Sequence, residues 1–153
     1  MSHWVLLAYR LPREPSTPRI TVWRQLRRIG AAQLADGLVA LPMDARTREQ
    51  LEWLAEDVIE HGGDATIWLG QPGSAAQERA LASRMASAVA AEYDEVASEA
   101  RALAGNGPVS KRSLGRLRRE LRQIRSRDYF PGPVGQRAET AVEALGRRLD
   151  VAS

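Results

Sequence analysis

The chain has 153 residues, 44% of them hydrophobic, enough for one sizeable core and one compact domain. It contains no cysteine, which excludes disulfides, thiolate chemistry and Cys-ligated metals and makes a reducing cytoplasm the expected location. The net charge of +3 hides a strong asymmetry: residues 1–30 carry six arginines against Glu14, residues 110–127 carry eight Lys/Arg against Glu120, and residues 44–65 carry seven acids against Arg46 and Arg48.

Trp4 to Tyr9 is apolar at both parities, the pattern of a strand covered on both faces. The run is also far shorter than the roughly 18 residues a membrane span requires, so no membrane crossing is expected. Pro12 and Pro15 interrupt regular structure. Thr17-Pro18 then supplies an N-cap and a proline at the first helical position, predicting a helix to about Ile29 that Gly30 ends. Val22, Trp23, Leu26 and Ile29 fall on its inward side, and Arg24, Arg27 and Arg28 gather on another. Ala31 to Leu34 and Leu38 to Leu41 flank Asp36-Gly37, a hairpin signal. Asp44 caps a second helix running to about His61, with Leu51, Leu54, Val58 and Trp53 inward, and Ala65 to Leu69 reads as a further strand. The order is βαββαβ, that of a ferredoxin-like unit.

From residue 73 the periodicity becomes helical. Leu81, Met85, Val89, Tyr93, Val96 and Leu103 mark a long helix ended by Gly105 to Pro108. Ser110 caps the next helix, whose narrow stripe of Leu114, Leu117, Leu121 and Ile124 predicts packing against a single neighbour. Tyr129 to Pro133 turn the chain into a last helix carrying Val134, Ala138, Val142, Leu145 and Leu149. The expectation is an α+β fold: one domain over residues 1–153, with a ferredoxin-like subdomain (1–72) and a helical subdomain (73–153). Either the three helices or a second copy of the chain must cover the sheet face opposite the first two helices, so a homodimer is one expectation.

Lys111, Arg112, Arg116, Arg118, Arg119, Arg122, Arg125 and Arg127 lie on one helix. Guanidinium groups pair with phosphate oxygens and release counterions, so this helix points to a nucleic-acid surface, which Arg13, Arg19, Arg24, Arg27 and Arg28 extend. The competing expectation is a solvated helix whose arginines pair with Glu120, with acids of the long helix or with the acidic 44–65 segment. No tight helix-turn-helix is present, so base-specific readout is not implied. Arg10 and Arg13, at a strand end beside a helix start, suit a small dianion such as chromate or sulfate. All four tryptophans are expected in the core. His3 and His61 are isolated, and Glu49, Glu52, Glu56 and Glu60 follow a solvated helical face. No phosphate loop, zinc motif or nucleophile elbow occurs, so no cofactor, metal or catalytic residue is expected and the function is read as binding.

The stretch WVLLAYRLPREP (Trp4 to Pro15), followed by Ser16 to Arg19, Trp23-Arg24, Leu26 to Arg28, Gly30 and the Asp36-Gly37 hairpin ending at Leu41-Pro42, resembles the start of ChrB N-terminal domains. The similarity continues through Arg48 to Trp53 and the Trp68 strand into the arginine-rich helix and Asp128-Tyr129-Phe130. It implies a part in chromate-responsive transcriptional control, with DNA as partner. Full-length members of that family carry a further C-terminal domain, so the resemblance does not extend chromate sensing to these residues. The first 70 residues are more distantly similar to PaaX-type repressors and to CRISPR adaptation nucleases. Those nucleases place a metal-binding Asp after the tyrosine that ends the first strand. Here the pair is Tyr9-Arg10, and an arginine repels a divalent cation, which argues against metal-dependent cleavage.

Overall fold

The computed structural model describes residues 2–152 in the order β1 (Trp4–Arg10), α1 (Thr17–Arg28), β2 (Ala32–Ala35), β3 (Leu38–Pro42), α2 (Ala45–Glu60), β4 (Asp64–Gly70), α3 (Ala75–Gly105), α4 (Lys111–Ser126) and α5 (Pro133–Ala152). The four strands form one sheet in the order β2-β3-β1-β4, with every neighbouring pair antiparallel. This is the α+β arrangement the sequence predicts, a ferredoxin-like sheet followed by three helices. The chain divides into two compact units, one reaching to Ala82 and the other starting at Ser83. No helix among the described residues is long and apolar enough to cross a membrane.

In the first unit β1 is one of the two inner strands, the other being β3. Val5 and Leu7 stand opposite Leu41 and Val39 of β3 and opposite Leu69 and Ile67 of β4, so these residues share one sheet face. Val5, Leu7, Val39 and Leu41 are buried there, as are Val22 and Leu26 of α1 and Leu51, Leu54 and Val58 of α2. Each fully buried Leu or Val contributes roughly 1.5–3 kcal/mol relative to exposure. The start of α2 is tied to the sheet through a capping box. Asp44 accepts from the Thr47 N–H at 2.7 Å, and Thr47 Oγ1 accepts from the Asp44 N–H at 2.9 Å. The same hydroxyl donates to the Pro42 carbonyl at 2.6 Å, which explains how a threonine is fully buried.

Two local expectations are corrected. The N-cap of α1 is Ser16, not Thr17, and its side chain makes no capping hydrogen bond. Three of the four tryptophans expected in the core are exposed: Trp23 at 51%, Trp53 at 61% and Trp68 at 60%, leaving only Trp4 buried. The reason is angular. Trp23 follows Val22 and Trp53 precedes Leu54, and one residue is a rotation of about 100° around a helix, enough to leave a narrow buried stripe. Trp68 stands on the edge strand β4 opposite Leu6, on the sheet face away from α1 and α2.

The second unit closes around Val89, Tyr93, Val96, Ala97 and Ala100 of α3, the four-residue stripe of α4, and Ala138, Val142 and Leu145 of α5. The α4 stripe therefore packs against two neighbours, not the single one expected. Its residues stand on two flanks, Leu114 and Leu121 on one and Leu117 and Ile124 on the other, and so can face two helices. Beyond the end of α4, Tyr93 donates to Asp128 Oδ2 at 3.0 Å. Burial first, then this hydrogen bond and the Asp128 charge, push the Tyr93 phenol up from 10.0 to about 12.

Two outcomes follow. Gly37, with φ +73°, turns the β2–β3 hairpin, and an added Cβ would meet the Tyr9 carbonyl oxygen. Gly37→Ala should cost at least about 1 kcal/mol in urea unfolding. Tyr93 is protonated in the fold with a pKa raised above its unfolded value, so its contribution is complete below pH 10.0 and lost as pH rises toward about 12. Urea stability measured across that window should fall more steeply in the parent than in Tyr93→Phe; parallel curves would show that the phenol does not carry the effect.

Candidate nucleic-acid interface

The four buried residues of α4, Leu114, Leu117, Leu121 and Ile124, fix the rotation of the helix. At about 100° per residue, Arg118, Lys111, Arg122, Arg119 and Arg112 then fall within an arc of about 120° that excludes the buried stripe and begins about 40° from Leu114. All five are exposed, and none has an ion-pair partner among the described residues. The only acid of α4, Glu120, lies outside this arc.

The other three cations of the helix are committed to neighbours. Arg116 bridges Glu99 of α3 and Glu120, the latter at 3.0 Å, and these hydrogen bonds raise the pKa of its guanidinium. Arg127, the C-cap of α4, pairs with Glu92 of α3 at 2.8 Å and is mostly buried. Arg125 pairs with Glu139 of α5. The eight basic residues therefore divide between the two alternatives the sequence leaves open, five exposed outside the ion pairs and three pairing within the unit. None of their four ion pairs reaches the acidic 44–65 segment; Arg48 pairs there with Glu52 at 2.9 Å. On α5, the Arg118 guanidinium lies over Gly146, where an added Cβ would come within 2.8 Å of it. Arg147 and Arg148, exposed beside Gly146, are cations that sequence reasoning left out because their helix is otherwise of mixed charge.

In the first unit Arg24, Arg27 and Arg28 are exposed on α1, on the side away from Val22 and Leu26. Arg27 is additionally placed over the Trp23 ring, 4.9 Å from its centroid. Arg10 and Arg13 line an open cleft of about 770 Å³, together with Tyr9, Arg19, Trp23, Gln33 and Asp36. Burial raises the Tyr9 pKa, opposed by the Arg19 charge and reinforced by Asp36, so its hydroxyl stays a donor at neutral pH. Arg19 was legible as a charge; Gln33 and Asp36 carried no signal, because they reach the cleft only through the hairpin. Among the described residues no three of His, Asp and Glu gather as a metal site.

A sequence profile of the family described as "Protein ChrB, N-terminal" matches residues 19–105, from α1 to the end of α3. The chain is 31% identical to Protein ChrB of Cupriavidus metallidurans, over 97% of this chain and 47% of that protein. It thus spans about half the length of the curated relative it matches. No solved structure matches it.

Proposed function

This chain belongs to the ChrB family, whose N-terminal profile it matches, and on that premise we propose that it is a DNA-binding regulatory domain of chromate resistance that acts by binding and performs no catalysis. The observation that carries the reading is the arc of Lys111, Arg112, Arg118, Arg119 and Arg122, a strip of exposed cations with no acid inside it. Such a strip attracts a polyanion, and each phosphate it neutralises releases counterions. The regulatory role in chromate resistance is what family resemblance implies, and the strip supplies chemistry suited to the DNA that role requires. Phosphate contacts of this kind position a duplex without reading its sequence.

A second reading, self-association, is favoured by the free edge of the sheet. Among the described residues β4 pairs only with β1; it contains neither lysine nor proline and carries the exposed Trp68 and Leu69. Natural edge strands usually carry such blocking residues, and an unblocked edge with exposed apolar side chains suits an antiparallel copy of itself.

The two readings are tested separately. Duplex DNA affinity should fall steeply with salt. Replacing Arg112, Arg119 and Arg122 together by Ala should reduce the slope of log K against log salt by about 3, at roughly 0.9 per phosphate. Arg127→Ala, which removes a cation paired with Glu92, should leave that slope unchanged. An unaltered slope in the triple variant removes α4 from the interface. For self-association, sedimentation velocity should show a dimer that Trp68→Glu converts to monomer; a monomeric parent at high protein concentration ends this second reading.

A further inference from the structure

The cleft in the first unit has a chemistry unlike that of the α4 strip. It is concave, and it opens where β1 ends, α1 begins and the β2–β3 hairpin turns. Three guanidinium groups line it, Arg10, Arg13 and Arg19, and none has an ion-pair partner among the described residues. One carboxylate, Asp36, stands in the same cleft, so the lining keeps a net charge of +2 from three arginines less one aspartate. An open site with that excess selects an anion.

Size and aromatic content narrow the ligand further. A cleft of about 770 Å³ falls in the range that holds organic small molecules, and a tetrahedral oxyanion would fill only a small part of it. Trp23 forms part of the wall although it is 51% exposed, and Arg27, which sits over the indole, does not line the cleft. An exposed indole backed by a guanidinium is a stacking platform for a planar ring. The Tyr9 hydroxyl supplies a donor, and the Asp36 carboxylate is an acceptor suited to an exocyclic amine or a ribose hydroxyl. Ser16, the N-cap of α1, also lines the cleft, and its side chain makes no capping bond.

We infer that this cleft is a nucleotide site, in which Arg13 and Arg19 hold the phosphate, Arg10 supports it from the strand end, and Trp23 stacks on the base. The shared chemistry is a base joined to a phosphate, and it has two sources: a free mononucleotide, or an unpaired nucleotide of a single strand. The inference is independent of the α4 reading, since no residue of α4 lines the cleft.

The test is a calorimetric titration of the full chain with adenosine monophosphate, adenosine, inorganic phosphate and a short single-stranded oligodeoxynucleotide. Adenosine monophosphate is expected to bind at least ten-fold more tightly than adenosine or phosphate. Arg13→Ala with Arg19→Ala should weaken it at least ten-fold, while circular dichroism stays unchanged because both side chains are exposed. Trp23→Ala should weaken the nucleotide and leave phosphate unaffected, a split that a purely structural role would not produce. Binding of the oligonucleotide but not the mononucleotide, lost in the same variants, supports the site with a strand as its source. Equal affinity for phosphate and adenosine monophosphate would overturn the inference in favour of a plain oxyanion site, and so would the absence of binding by both nucleotide probes.

Discussion

The rotation of α4 about its own axis decides most of what the second unit presents to solvent. Leu114, Leu117, Leu121 and Ile124 hold that rotation by burying against α3 and α5. Turning the helix by one residue, about 100°, would carry guanidinium groups toward the core, where desolvating an ion costs several kcal/mol. Four apolar side chains thus determine which cations face outward. They also determine which lie at the flanks, within reach of Glu92, Glu99 and Glu139. Ion pairs between exposed groups contribute only about 0–1 kcal/mol to stability, so their main effect here is electrostatic. By neutralising the flanks they confine the positive charge of α4 to one side.

An analogous constraint shapes the first unit, with close backbone approach in place of helix rotation. Val5 and Leu7 anchor β1 beneath α1 and α2, and the strand then leaves the core at Tyr9 and Arg10. Two glycines crowd that end. A Cβ on Gly37 would meet the Tyr9 carbonyl oxygen, and one on Gly63 would meet that of Arg10. The Tyr9 N–H also donates to the Gly37 carbonyl at 2.8 Å. The hairpin is drawn against the strand end as a result, and Gln33 and Asp36 come to line the same cleft as Arg10 and Arg13.

Elements governed by local chemistry were legible in the sequence. Periodicity marked all five helices, the Asp36-Gly37 pair marked the hairpin, and Asp44 marked the start of α2. The buried stripe of α4 could be read residue by residue because it repeats at helical spacing. What depended on distant partners was not legible. Which of the eight cations on α4 pair with acids is set by residues 14–35 positions away in three of the four bridges, and no spacing rule reports that. The tryptophans misled for another reason: hydrophobicity alone placed them inward, whereas an indole tolerates exposure when a narrow stripe or an edge strand leaves it no buried position. The cleft was half legible, as Arg10 and Arg13, because its wall is assembled from β1, α1 and the hairpin.

The strip and the cleft differ in what they can discriminate. Cations on a convex helix meet an extended polyanion at many points, each weak and each screened by salt, so affinity grows with the number of phosphates engaged while sequence is not read. A concave wall with one ring platform and a few donors engages a single ligand, and discriminates by whether ring and phosphate arrive together. On the proposed DNA-binding reading, any selectivity for a particular duplex would have to come from DNA shape or from multiplicity, since five cations on one helix do not encode it. Multiplicity is the simpler physical route: a two-fold assembly through the open β4 edge would present two strips per particle. The phosphates contacted, and with them the salt dependence, would then double without any new contact chemistry, and the spacing between strips would become a geometric filter on the DNA.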